Sequence, residues 1–258
     1  AVRATAPLAL WVRAAAAALA ATMVLTACGG GGGNETTAAA GGDTGSAAAG
    51  GDAAASGSGE VGKTDITFAM GADIVTLDPA GQQDTTTSVI IKHVYSTLLD
   101  ISDEGELVPD LAESYELSED GKTYTFHLRD AKWSNGEAVT AADFVFGWQR
   151  AVDPATASEY SYMLSDIGQV VNAAEIIAGE KPVTDLGVTA VDDKTLEVQL
   201  NVPVSYFLSL MYFPTFYPVN EAFFNTCKDT FGTSPDTVLS NGAFIMTDYQ
   251  PAATAFEL

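Results

Sequence analysis

Residues suited to chemistry are few and scattered in this chain. The only histidines are His93 and His127, and neither has a second plausible metal ligand at i+3 or i+4 within an apolar helical frame. The acidic pair Asp192-Asp193 falls in a predicted turn, where water solvates the carboxylates. The sequence has no G-x-S-x-G or H-E-x-x-H motif. These residues predict neither a catalytic nor a metal site, so we expect no enzyme activity and no cofactor.

The two cysteines, Cys28 and Cys227, are too few for a disulfide framework, and Cys227 alone is typical of a small buried side chain. Cys28 follows a basic start and an apolar run at residues 14–25 that is too short to span a bilayer comfortably. The preceding Leu25-Thr26-Ala27 resembles a bacterial lipobox. We therefore predict a signal peptide at residues 1–27 and a membrane anchor through lipid on Cys28. The alternative is an ordinary signal peptide with an incidental cysteine.

Composition separates a tether from a folded region. Residues 28–62 are dominated by glycine, alanine, serine and threonine, and such a segment cannot bury enough apolar surface to offset its chain entropy. Aromatic side chains lie almost wholly after Thr64, so a core is expected only in the C-terminal three-quarters of the 258 residues. The net charge of −23 argues against direct binding to nucleic acid or an anionic membrane surface. It is typical of a soluble extracytoplasmic domain.

The elements that must position any binding residue are organised around residues 124–150. Residues 124–128 alternate between apolar and polar side chains, a period of two that predicts a strand buried on one face. Ser134-Asn135-Gly136 predicts a tight turn. Thr140 predicts a helix N-cap, with Asp143 in the capping-box position and apolar residues at helical spacing after it. The pattern alone indicates a structural strand–turn–helix unit.

Weaker patterns predict the surrounding elements. Leu77-Asp78-Pro79 predicts a turn, and the polar residues 81–88 predict an irregular segment in which Ser88 caps a helix from Val89. The same reasoning predicts a strand at 66–70, a hairpin of residues 187–191 and 196–200 about Asp192-Asp193, helical segments at 107–115, through Tyr160 and Met163, at 170–178, at 203–212 and from Asn220, and a strand at 244–246.

Two runs inside this region carry a resemblance to a known family. WSNGEAVTAADFV at residues 133–145, followed by WQR, and DPATASEY at residues 153–160 are specific in combination. With the flanking sequence from residue 64 onward they resemble the family-5 extracytoplasmic solute-binding proteins of ABC importers. AEIIAGEKPVTDLGV at residues 174–188 resembles the oligopeptide branch of that family.

The resemblance implies an α/β fold, a periplasmic-binding-protein-like class II lobe with an inserted α+β accessory domain. It implies that residues 63–95 and 220–258 form an incomplete first ligand lobe and that residues 96–219 form the accessory domain. The second ligand lobe is absent from this sequence, so we expect a fragment or a truncated gene product. In the family that lobe holds the groups that meet the peptide termini, so we expect weak peptide binding or none.

The resemblance also implies which residues contact ligand. An extended peptide would pair its backbone with the segment after Leu77-Asp78-Pro79, which is here Gln83, Asp84 and Thr85. Tyr160 would reach the ligand from the accessory domain. The alternatives are an ordinary polar surface turn for the loop and core packing for Tyr160.

The implied protein is a lipid-anchored monomer outside the cytoplasm that captures oligopeptides. Closed around its ligand, it would dock on an ABC permease served by ATPase subunits. Other family members bind nickel, haem or oligosaccharides, so another solute is the first alternative. A surface peptide sensor without transport is the second.

Overall fold

The computed structural model describes residues 73–249. The predicted signal peptide, Cys28, the tether and the strand predicted at 66–70 lie outside the described residues. The strands are β1 (Leu99–Ile101), β2 (Leu107–Pro109), β3 (Ala112–Leu117), β4 (Thr123–Leu128), β5 (Val188–Asp192) and β6 (Thr195–Gln199). The α-helices are α1 (Thr85–Val94), α2 (Ala141–Val152), α3 (Ala173–Ile177) and α4 (Glu221–Cys227). Short 3-10 helices lie at Val183–Asp185, Phe207–Tyr212, Pro214–Phe216, Lys228–Thr230 and Pro235–Thr237, and a π-helix lies at Met163–Ile167.

A four-stranded antiparallel sheet has the order β3-β4-β6-β5, and β1 pairs with β2 in a separate sheet. β4 is central, with β3 on one side and β6 on the other. Its buried face is the predicted one, since Tyr124, Phe126 and Leu128 are 4%, 0% and 6% exposed. The predicted hairpin about Asp192-Asp193 is confirmed as β5 and β6.

α2 is the helix predicted from the capping pattern, with Thr140 at its N-cap, and it packs against β5. The Thr140 backbone N–H donates to Asp143 Oδ2 (2.8 Å), and the Trp133 indole N–H donates to the same oxygen (3.1 Å). These bonds tie the preceding turn to the first turn of the helix. Phe144 and Trp148 are fully buried, which confirms the predicted apolar face.

The prediction of an irregular segment over residues 81–88 is wrong, because α1 begins at Thr85 with Asp84 as its N-cap. The Asp84 carboxylate accepts hydrogen bonds from the backbone N–H and the hydroxyl of Thr87 (2.8 and 2.7 Å). Ser88, expected to cap the helix, instead lies within it, and its backbone N–H donates to the Asp84 carbonyl (3.2 Å). The cap bonds of Asp84 outweigh the modest helix propensity of three consecutive threonines.

The helix predicted at residues 107–115 is also wrong, since β2 and the start of β3 occupy this segment. β2 pairs antiparallel with β1, and β3 pairs antiparallel with β4. Pro109 is the last residue of the short β2, a position that tolerates the missing N–H. Strand pairing with other parts of the chain overrides a local pattern that has no strong period.

Two predicted helices are shorter than expected. The helix predicted at 170–178 is confined to Ala173–Ile177, because Val170 pairs with Leu200 in an isolated β-bridge. Within 203–212, only Phe207–Tyr212 is helical, and it is a 3-10 helix.

The remaining local predictions have different outcomes. The helical piece expected through Tyr160 and Met163 consists of turns followed by the π-helix Met163–Ile167. Residues 244–246 form no strand in the described part of the chain, and Ile245 is 55% exposed. A helix does follow Asn220, whose side chain caps it, as predicted. The boundaries of lobe and accessory domain stay predictions.

Candidate functional site

Arg150 and Asp78 join α2 to the turn that precedes the predicted ligand loop. The Arg150 guanidinium donates to both carboxylate oxygens of Asp78 (2.9 and 2.8 Å), and the two side chains are 11% and 14% exposed. The guanidinium also lies over the Phe224 ring, 4.1 Å from its centroid. A bidentate, largely buried pair of this kind fixes both position and orientation. The sequence did not predict this pair, although Arg150 ends the WQR run and Asp78 lies in Leu77-Asp78-Pro79.

Asp78 also shapes the chain leading into residues 83–85, which we call the binding loop. Its carboxylate accepts a hydrogen bond from the Ala80 N–H (3.1 Å), and its carbonyl accepts one from the Gln82 N–H (3.1 Å). Gln82 is 2% exposed, and its side-chain oxygen accepts a hydrogen bond from the Ser88 hydroxyl (2.9 Å). The chain is therefore anchored immediately before the binding loop.

The backbone donors of the binding loop have no partner among the residues that the structure describes. Gln83 and Thr85 are exposed, and Asp84 is partly buried. Among residues 73–249, no acceptor is hydrogen-bonded to the backbone N–H of Gln83, Asp84 or Thr85. Unpaired amides at the start of a helix are satisfied by water or by a ligand. The loop therefore presents consecutive donors that an extended chain is able to use.

Tyr160 lies beside the binding loop. Its hydroxyl donates a long hydrogen bond to the Gln83 carbonyl (3.4 Å). Its ring packs edge-to-face against Phe213, with centroids 5.0 Å apart, and the residue is partly buried. Tyr160 thus packs on one side and meets the loop with its hydroxyl. The two parts of the predicted site, 77 residues apart in sequence, come together.

The segment that carries Tyr160 contains backbone strain. Ala157 has φ 53°, a left-handed conformation that costs about 1–2 kcal/mol for a residue with a Cβ. The preceding turn is closed by the Ala155 N–H, which donates to the Asp153 carboxylate (2.9 Å). Strained residues cluster at ligand sites, where the surrounding structure holds them.

The described residues offer few groups for metal or nucleophilic chemistry. Within residues 73–249, no group of three or more His, Cys, Asp or Glu side chains is placed to hold a metal ion. In the same range, every helix is too short or too polar to cross a membrane. His93 lies on α1 with Nδ1 2.7 Å from the Val89 carbonyl oxygen. Burial raises the pKa of the partly buried Cys227 thiol, which disfavours the nucleophilic thiolate.

The sequence also contains one P-loop-like spacing. Residues 57–64, GSGEVGKT, fit the pattern G-x-x-x-x-G-K-T. A P-loop follows a strand and opens a helix, whose N-terminus meets the phosphates. Here the pattern follows the glycine-rich tether and precedes the strand predicted at 66–70, outside the described residues. The match therefore predicts no nucleotide site.

Comparison with protein families identifies this architecture. The model described as bacterial extracellular solute-binding proteins, family 5 Middle, matches residues 106–257. The chain belongs to this family. Family-5 proteins are binding proteins of ABC transporters and are not enzymes. The resemblance inferred from the runs at 133–145 and 153–160 is confirmed.

The similar proteins carry names that describe peptide binding and, in one case, probable deoxycholate binding. The periplasmic oligopeptide-binding protein OppA of Escherichia coli K12 is 43% identical over 180 residues, which is 69% of this chain and 33% of OppA. The probable deoxycholate-binding periplasmic protein YgiS of the same organism is 41% identical over 179 residues, with 69% and 33% covered. The solved structure of Listeria monocytogenes OppA bound to peptide matches with a TM-score of 0.66 and 39% identity over 69% of this chain and 35% of that chain.

These matches show the predicted α/β periplasmic-binding-protein fold. The chain spans about a third of the length of the curated relatives it matches. The ligand and the partners of the whole protein are therefore proposed in the next subsection.

Proposed function

We propose that this chain is part of an extracytoplasmic, lipid-anchored binding protein that captures oligopeptides for an ABC importer. Its family membership and its likeness to a peptide-bound relative support this proposal. In the proposed cycle, the protein acts as a monomer and closes around an extended peptide. The loaded form then docks on a membrane permease, and ATPase subunits drive uptake.

The observation that carries the proposal is the set of binding-loop amides, next to Tyr160, that have no partner within residues 73–249. An extended peptide is able to add to the loop as a strand, with its carbonyl oxygens accepting from these N–H groups. Each such bond contributes about 0.5–1.5 kcal/mol net. Because main-chain groups are common to all peptides, this mode binds many sequences.

Titration of the uniformly 15N-labelled chain with peptides tests the proposal, since NMR detects binding into the millimolar range. The proposal requires that binding by this chain is weak but not absent, so we expect tri- to pentapeptides at millimolar concentration to shift the amide resonances of Gln83, Asp84 and Thr85. A mixture of the constituent free amino acids at equal concentration should leave them in place, because it offers no extended backbone. The absence of any peptide-induced shift in the loop would contradict the proposal.

A second ligand class is included in the same titration because YgiS, described as a probable deoxycholate-binding protein, is nearly as similar as OppA. Deoxycholate lacks a peptide backbone and presents a large apolar surface. Shifts produced by deoxycholate but not by peptides would replace oligopeptide with a bile acid as the ligand.

We also propose that Cys28, outside the described residues, carries the lipid anchor. The basic start, the apolar run at 14–25 and the Leu25-Thr26-Ala27 sequence before Cys28 support it. Labelling with an alkyne fatty acid in a bacterial host should tag the wild-type chain and place it in the membrane fraction. Cys28→Ser should lose the tag and the membrane association, and Cys227→Ser should keep both. A tag that persists in Cys28→Ser would contradict lipidation at this residue.

A further inference from the structure

An exposed aromatic ring lies beside Tyr160, the tyrosine that contacts the binding loop. Tyr162 is 42% exposed, and its ring centroid lies 6.0 Å from that of Tyr160 at an interplanar angle of 45°. Tyr160 in turn contacts the Gln83 carbonyl through its hydroxyl. No sequence pattern predicts a role for Tyr162, and the binding-loop contacts do not involve it.

The Tyr162 ring is carried by a well-fixed backbone. Tyr162 is the N-cap residue of the π-helix Met163–Ile167, a rare element that is frequent at functional sites. The turn is closed by the Gly168 N–H, which donates to the Met163 carbonyl (2.9 Å), and Leu164 beside it is fully buried. A rigid, exposed aromatic side chain offers contact area to a ligand at low entropic cost.

We propose that the Tyr162 ring packs against an aromatic side chain of the bound peptide and so sets a side-chain preference. This inference rests on the proposed peptide-binding function. An extended chain advances about 3.3 Å per residue and alternates its side chains. Because the Tyr162 ring centroid lies 6.0 Å from that of Tyr160, whose hydroxyl meets the binding loop, a side chain of a peptide paired with the loop is able to reach the ring. Tilted aromatic pairs are attractive at centroid distances of about 4.5–7 Å.

A cationic side chain is the competing occupant of this position. Glu159 is exposed, and residues 153–163 contain no lysine or arginine. Lysine and arginine are attracted to an aromatic face, but only weakly at exposed sites. The test therefore includes a lysine peptide beside the aromatic one.

The experiment compares affinities of alanine tripeptides that carry one phenylalanine or one lysine at each position in turn, measured by NMR titration of the full chain. At one position, phenylalanine should raise the affinity about three- to tenfold over trialanine. In Tyr162→Ala this ratio should fall to about one, and in Tyr162→Phe it should be retained because the ring is kept. Tyr206→Ala is the matched control, since Tyr206 is 52% exposed and its hydroxyl donates to the Ile167 carbonyl at the far end of the π-helix (3.3 Å). It should keep the full ratio.

The outcomes separate this inference from the proposed function. Two results would overturn the role of Tyr162 while leaving the peptide-binding function intact. In the first, trialanine binds but phenylalanine gives no gain at any position. In the second, the gain from phenylalanine persists in Tyr162→Ala. A larger gain from lysine than from phenylalanine would overturn the aromatic preference. If no tripeptide binds the wild-type chain, the peptide-binding function fails, and this inference fails with it.

Discussion

Arg150 holds Asp78 by two parallel hydrogen bonds of 2.9 and 2.8 Å, across 72 residues of sequence. The pair fixes the turn before the binding loop relative to α2. The same helix leads directly into Asp153-Pro154 and the segment that bears Tyr160. One largely buried ion pair thus couples the two halves of the candidate site.

We expect a strong energetic coupling between Arg150 and Asp78. Because both side chains are nearly buried, Arg150→Met should cost about 3–5 kcal/mol of unfolding free energy. A double-mutant cycle with Asp78→Asn should give a coupling of at least about 2 kcal/mol. The control is the exposed pair of Lys181 and Glu175, whose side chains are 39% and 43% exposed and for which about 0–1 kcal/mol is expected. Equal couplings in urea unfolding of the two cycles would show that the buried pair does not organise the site.

Close packing of α2 at Gly147 gives a second prediction. A Cβ on Gly147 would lie 2.5 Å from the Tyr217 carbonyl oxygen, which is backbone and therefore cannot rotate away. Gly147→Ala should lower the unfolding free energy by about 2–3 kcal/mol or more. Gly81→Ala is the control, since its Cβ would meet only Asp78 side-chain atoms at ordinary contact distance, 3.5 Å. It should change stability by less than about 0.5 kcal/mol. Thermal unfolding of both variants checks the difference, and equal melting temperatures would contradict it.

Strain at Ala157 gives a third prediction. Glycine adopts the positive φ at this position without steric cost, so Ala157→Gly should leave stability unchanged or raise it by up to about 1 kcal/mol. At the exposed helical position Ala174, the same substitution should lower stability by about 1 kcal/mol. A loss of stability in Ala157→Gly as large as that in Ala174→Gly, measured by urea unfolding, would show that residue 157 is unstrained.

The buried carboxyl of Asp143 predicts the direction in which stability changes with pH. Burial raises the pKa of Asp143, although hydrogen bonds from Thr140 and Trp133 partly offset it. The folded state therefore binds the Asp143 proton more tightly than the unfolded state does. This proton binding stabilises the fold fully below the unfolded-state pKa of Asp143, and the stabilisation is lost as pH rises through the folded-state pKa. Asparagine cannot ionise and keeps an acceptor oxygen. Asp143→Asn should therefore gain stability relative to wild type between pH 3 and pH 7.

Asp192 supplies the control of opposite sign for this experiment. A hydrogen bond from the Lys194 backbone N–H, together with bonds from Thr195, lowers the pKa of Asp192. Its stabilising contribution is present above the unfolded pKa and is lost as pH falls. Asp192→Asn should therefore lose stability relative to wild type between pH 3 and pH 7. Urea unfolding across this pH range measures both variants, and two differences of the same sign would contradict the assignment.

The local part of the fold was predictable because its signals are short-range. The alternation in β4 and the cap at Thr140 act within a few residues, so the pattern determined both elements. The start of α1 was missed because Asp84, rather than helix propensity, decides it through two hydrogen bonds to Thr87. The helix predicted at 107–115 failed because its backbone partners lie in β1 and β4.

The candidate site was predictable only through family resemblance. No spacing rule connects Gln83 with Tyr160, or Asp78 with Arg150, because folding brings each pair together over more than seventy residues. The motif runs contain two of these four residues, Arg150 and Tyr160, and Asp78 lies in the predicted turn Leu77-Asp78-Pro79. Tyr162 shows no sequence signal beyond its place in the turn after DPATASEY, and only its exposure in the folded chain distinguishes it.

The most direct test of the account removes a single amide from the binding loop. Thr85 is the first residue of α1, where proline fits, and Asp84 before it is extended (φ −139°, ψ 160°), as a residue preceding proline prefers. Thr85→Pro therefore deletes one N–H while keeping the helix, and Thr85→Ala deletes only the side chain. If peptides pair with the loop backbone, NMR titration should show about five- to tenfold weaker binding for Thr85→Pro and little change for Thr85→Ala. Equal affinities for the two variants would contradict the account.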